Sequence, residues 1–77
     1  MKSIYSKDYE AVISALVAAR KAAGVTQVQL AEKLGKPQSY VSKIENRERR
    51  LDIVEFFHIC RAINADALGT LRKAGMT

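Results

Sequence analysis

A length of 77 residues predicts one domain over the whole chain, with a core so small that economical packing or a partner's surface must add to its stability. Thirteen Lys and Arg against eight Asp and Glu leave a formal charge of +5, a balance expected of a polyanion binder but also found in proteins that bind none. One cysteine, Cys60, excludes an internal disulfide, and with a single histidine, His58, it makes no metal site; no stretch approaches the roughly 18 consecutive apolar residues of a membrane span, and residues 1–10 are polar rather than signal-like, so a cytoplasmic protein without membrane contact is expected.

Glycine and proline are sparse, and between them the apolar spacing is helical rather than alternating, which predicts an all-α fold of five helices. The first spans about Asp8 to Ala22, with Tyr9, Val12, Ile13, Leu16, Val17 and Ala19 as its apolar stripe and Gly24 free to adopt a left-handed cap. The second opens at Thr26, whose hydroxyl forms a capping box with Gln29, and stops at Gly35. Pro37 cannot extend that helix but can open the next at its first position; this third helix, Gln38 to Asn46, buries Val41 and Ile44 and turns Gln38, Ser39, Ser42 and Lys43 outward. Beyond the charged stretch Arg47 to Arg50, Asp52 with Glu55 starts a fourth helix, about 53–63, carrying Ile53, Phe56, Ile59, Cys60 and Ile63 on one side and ending at Asn64. Asp66 caps a last short helix, about 66–73, bearing Leu68 and Leu71, and the tail from Lys73 is expected to fray.

Residues 27–47 hold the most restrictive pattern in the chain: Leu30, Ala31, Leu34, Gly35, Val41 and Ile44. A small side chain at Ala31 lets two helices approach closely, Gly35 permits the backbone reversal between them, and the four larger residues fix their angle. At these residues the sequence resembles the phage-repressor class of helix-turn-helix proteins, the Cro-like or Xre family, and the likeness extends over nearly the whole chain. The run from Thr26 to Gly35, then Gln38 to Asn46, is close to the family pattern, and Arg49 to Phe56 is similar to the family's lead-in to a fourth helix. Pro37 stands where many members place Ser or Thr, and Arg47 where many have glycine.

The resemblance implies a five-helix lambda-repressor-like domain that binds double-stranded DNA, with the helix from Gln38 in the major groove, about 12 Å wide in B-DNA. In that geometry Gln38 can bond adenine N6 and N7, Lys43 can donate to guanine O6 or N7, Ser39 can reach bases or phosphate, and Ser42 is a further base contact. Phosphate contacts hold such a helix in register without conveying sequence; the candidates are Gln27, Tyr40, Asn46, Arg47, Arg49 and Arg50. By resemblance, Gln27 touches phosphate and braces Gln38, and Arg20 with Glu45 forms a partly buried structural ion pair. Each of these has a plainer alternative: the polar face and the arginine run are also what any solvated helix and loop present, with Glu48 partly neutralising the run, and Arg20 and Glu45 could be independent surface charges.

Helix-turn-helix proteins of this size commonly bind as dimers on half-sites about 34 Å apart, and a homodimeric repressor is the expected role. Leu51, Val54, Phe57, Leu68, Leu71 and Met76 are the interface candidates, against the alternative that they are ordinary core. An antitoxin or other protein-interaction module that represses its own operon through the same fold is the second reading, although such proteins normally add a toxin-binding segment. An enzyme has little to build on: Cys60 and His58, two apart on a helix, point in different directions. No glycine-rich phosphate loop, carboxylate cluster or metal-ligand spacing occurs, so no catalytic residue, cofactor, metal or small-molecule substrate is expected.

Overall fold

The computed structural model describes residues 6–76, and within them five helices and no strand: α1 Lys7–Ala22, α2 Gln27–Leu34, α3 Gln38–Glu45, α4 Ile53–Ala62 and α5 Ala67–Lys73. The chain is all-α, as its periodicity requires. Side-chain caps start four of these helices where the sequence supplies them. Ser6 accepts from the Tyr9 N–H, so that α1 begins at Lys7, one residue before the expected Asp8. Thr26 and Asp52 each form a complete capping box, with Gln29 and Glu55, and Asp66 accepts from the Gly69 N–H. Each box satisfies backbone donors that the helix itself leaves unpaired.

Helix α3 is the exception, because Pro37 occupies the cap position rather than the first helical residue and has no side-chain acceptor to offer. Its ψ of 157° is extended, so the proline ends the turn instead of beginning the helix. Gly35, at φ +68°, supplies the reversal that lets α2 stop and α3 turn back across it. Arg47 takes the same left-handed conformation at φ +59° just after α3, a region that disfavours side chains and favours glycine.

Among the described residues, ten apolar ones form the core: Ile13 and Leu16 from α1, Leu30 and Ala31 from α2, Val41 and Ile44 from α3, and Phe56, Ile59, Cys60 and Ile63 from α4 and its end. Helix α2 packs on α3 and α4, α1 packs on α3 and α5, and α4 packs on α5, so every helix borders this one cluster. Burial at these positions is worth about 1.5–3 kcal/mol for each large side chain, and Leu30, Val41 and Ile44 lose essentially all contact with water. That places the angle between α2 and α3 under the control of the core rather than of the loop.

Two expectations about the edges of the fold, the inward placement of Ile53 and the fraying of the tail, are corrected. Ile53, assigned to the inner stripe of α4, is 61 % exposed: it is the first residue of the helix, its Cβ points back toward the N-terminus, and the core ends beneath Phe56. In α5 the buried residue is Thr70, with its hydroxyl donating to the Asp66 carbonyl at 2.9 Å, while Leu68 faces out. The tail after Lys73 does not fray at once, since Gly75 adopts a left-handed turn and the Met76 N–H donates to the Leu71 carbonyl at 3.0 Å.

Candidate nucleic-acid interface

Helix α3 is amphipathic in the sense the spacing dictates. Val41 and Ile44 are buried, and Gln38, Ser39 and Lys43 are exposed on the opposite side. Among the described residues the side chains of Gln38 and Lys43 make no hydrogen bond or ion pair, so both are free to meet a ligand. Ser42 differs from its expected placement: it is half-buried, and its hydroxyl donates back to the Ser39 carbonyl at 3.3 Å, the local bond that serines inside helices favour.

Behind this face, α3 is tied to α1 by a buried ion pair. Arg20 Nε and Nη2 donate to the two carboxylate oxygens of Glu45 at 2.6 and 3.0 Å, and Arg20 Nη1 donates to the Val25 carbonyl at 2.8 Å. The two side chains are 9 and 10 % exposed, which excludes the reading as independent surface charges. Gln27 joins the same cluster, its amide donating to Glu45 at 2.8 Å. The expected brace between Gln27 and Gln38 is therefore replaced by a bond to the far end of α3, because Glu45 presents a charged acceptor that a neutral amide does not match. Gln27 keeps a second amide N–H for an outside partner.

The basic loop after α3 is more occupied than its composition suggests. Arg47 is half-buried, with a long contact of 3.7 Å to Glu10 on α1. Arg49 donates to both oxygens of Glu55 at 3.1 and 2.9 Å, and the Tyr40 hydroxyl donates to the same carboxylate at 3.0 Å. The proton with which Tyr40 was expected to reach a phosphate is thus spent inside the protein, and Glu55, not Glu48, is the acid that offsets the arginine run. Asn46, at the end of α3, and Arg50 are exposed, and neither side chain has a partner among the described residues.

The crowding of donors has an electrostatic consequence. Arg49 first, and then the Asp52 backbone N–H, hold the Glu55 carboxyl at a pKa of about 2 against an ordinary 4.5; burial, reinforced by Glu55, pushes the Tyr40 phenol up. A carboxylate whose folded pKa is depressed stabilises the fold above its unfolded pKa and loses that contribution as pH falls through the folded one. The urea midpoint should accordingly decline between pH 4.5 and about 2 more steeply for the natural chain than for Glu55→Gln, which retains the capping geometry but cannot titrate. Parallel curves for the two would show that the Arg49–Glu55 contact adds nothing to stability.

Glu55 escaped the sequence reading as anything but a cap. The available signal was its second oxygen: a capping box uses one, which leaves the other to a basic residue just upstream. Cys60 and His58 are separated by the fold as well as by helical geometry. Cys60 is buried and its thiol pKa is raised by desolvation, while His58 is exposed. Among the described residues no single helix is long and apolar enough to cross a membrane.

Two short helices joined by a glycine turn, with the second presenting a free polar face, define a helix-turn-helix module. A helix-turn-helix family model matches residues 16–68, and the chain belongs to that family, in its Xre branch. It is similar to a solved structure of an XRE-family like protein from Pseudomonas syringae pv. tomato str. DC3000, with 50% identity and a TM-score of 0.86 over 96% of this chain and 90% of that one. It is also similar to the clp gene regulator ClgR from C. glutamicum, at 29% identity and a TM-score of 0.79, with 86% of each chain covered. No curated protein matches the sequence.

Proposed function

We propose that this chain is a sequence-specific double-stranded DNA-binding transcriptional regulator, a cytoplasmic homodimeric repressor that reads the major groove with α3. The observation that carries the reading is the outer face of α3, where Gln38, Ser39 and Lys43 are exposed, unpartnered by other side chains and free of acidic neighbours while the opposite face is locked into the core. A helix held this rigidly can enter a groove without reorganising. Gln38, Ser39 and Lys43 carry the base contacts, with Ser42 secondary because its hydroxyl proton is spent on the Ser39 carbonyl.

Around that face, Gln27 with its spare N–H, Asn46, Arg47, Arg49 and Arg50 are the phosphate-contacting residues. The first N–H groups of α3, left uncapped by Pro37, add donors at the positive end of the helix dipole. Tyr40 supports this set through Glu55 rather than touching phosphate itself.

Val54, Phe57, Leu68 and Met76 are the dimer-forming residues, joined by Ile53; all five are large apolar side chains left exposed. Leu51 and Leu71, once candidates for the same surface, are partly buried against the core and serve the fold. The clp gene regulator named above supports a regulatory role. In a titration of duplex DNA recovered by selection from random sequence, affinity should fall steeply with salt, log K declining by about 0.9 per phosphate neutralised for each tenfold rise in salt. Affinity that ignores salt, or no binding to any duplex at low ionic strength, overturns the assignment.

A further inference from the structure

Four donors converge on Glu55 from three parts of the chain: the Tyr40 hydroxyl of α3, the Arg49 Nη1 and Nη2 of the loop, and the Asp52 backbone N–H at the start of α4. The guanidinium of Arg49 lies over the Tyr40 ring at 4.8 Å, with Lys36 also over that ring at 5.3 Å. Arg49 Nη1 spends its other proton on the Arg50 carbonyl at 3.1 Å.

A guanidinium carries five N–H donors in a rigid plane, and these contacts use three of them. The two that remain, on Nε and Nη2, lie along one edge of the plane, the spacing that matches two oxygens of a phosphate. The Arg49 side chain is 42 % exposed and lies over Tyr40, in the first turn of α3.

We propose that Glu55 is a positioning residue for DNA binding: it clamps Arg49 over the Tyr40 ring, so that the free edge of the guanidinium meets a backbone phosphate flanking the groove that α3 occupies. This inference rests on the DNA-binding reading above. An unrestrained arginine would have to give up rotamer freedom on binding; here the cost has been met in folding. The same clamp links the orientation of α3 to the first two turns of α4, where Ile53, Val54 and Phe57 are exposed.

The sign of the Glu55→Gln effect separates this role from simple electrostatics. Glu55 is a negative charge close to the approaching polyanion, and removing it raises the net positive charge; by charge alone the variant should bind DNA more tightly. Positioning predicts the reverse. The experiment measures the affinity of the natural chain, Glu55→Gln, Arg49→Ala and the double variant for a duplex that the natural chain selects from random sequence, over a range of salt, at a temperature where urea curves show each to be folded.

Glu55→Gln should weaken binding about tenfold, the worth of one charge-assisted contact, and lower the steepness of the salt dependence by about one phosphate's share. In the Arg49→Ala background the same substitution should cause no further loss. Equal or tighter binding by Glu55→Gln, or the same loss in both backgrounds, overturns the positioning role while leaving the DNA-binding reading intact. Failure of the natural chain to bind any duplex overturns both.

Discussion

Glu45→Ala should lower the free energy of unfolding by about 3–5 kcal/mol, because it strands the Arg20 guanidinium in a site from which water is excluded. Arg20 is 7 % exposed, and without Glu45 its one remaining acceptor is the Val25 carbonyl. Had the pair been exposed, the same change would be worth about 0–1 kcal/mol. Burial of both partners decides between the two magnitudes. Total stabilities run near 0.05–0.15 kcal/mol per residue, roughly 4–12 kcal/mol at this length, so the loss takes a large share of the whole and the variant's thermal midpoint by circular dichroism should fall far below that of the natural chain.

The companion variant tests the cause. Arg20→Met with Glu45→Leu removes both charges and their desolvation costs together, and should recover most of the lost stability, although Gln27 then loses its acceptor. A single-variant loss below about 1 kcal/mol, or a double variant no more stable than the worse single one, would sink the claim that an uncompensated buried charge is what matters. Because the pair joins the end of α3 to α1, its loss should also loosen the helix proposed to read DNA, a coupling visible as faster hydrogen exchange along α3.

What the sequence made legible was whatever depends on neighbours within one helical turn. Thr26 with Gln29, Asp52 with Glu55, Asp66, Gly35 and the buried stripe of Val41 and Ile44 are all local patterns, and each is found where its spacing puts it. The family likeness reached further, to the Arg20–Glu45 contact across 25 positions, which no periodicity encodes. Local reasoning and the family likeness alike failed where a side chain chose between competing partners. Gln27 could bond Gln38 or Glu45, and Tyr40 could face solvent or Glu55; in both cases a carboxylate brought near by tertiary packing is the stronger acceptor. Ile53 fails for a different reason, since a helical stripe says which side a residue is on but not where along the axis the core stops.

Substituting Gln38 and Lys43 together by Ala should cost specific DNA binding a few kcal/mol, roughly a hundredfold or more, while leaving the unfolding curve unchanged. Both side chains are exposed and make no bond within the described part of the protein, so the fold has nothing to lose; surface changes of this kind shift stability by about 0.5 kcal/mol or less. The loss should be selective. A residue that reads a base edge discriminates one pair from another, each good bidentate contact contributing about 1–3 kcal/mol, whereas a residue on phosphate weakens all sequences alike. Arg50→Ala is the control: it should lower affinity for the selected duplex and for an unrelated one by the same factor, and reduce the salt dependence by about one phosphate's share. If the Gln38 and Lys43 double variant behaved like that control, retaining its preference for the selected duplex over the unrelated one, sequence would have to be read elsewhere, and the outer face of α3 would be reduced to one more set of backbone contacts.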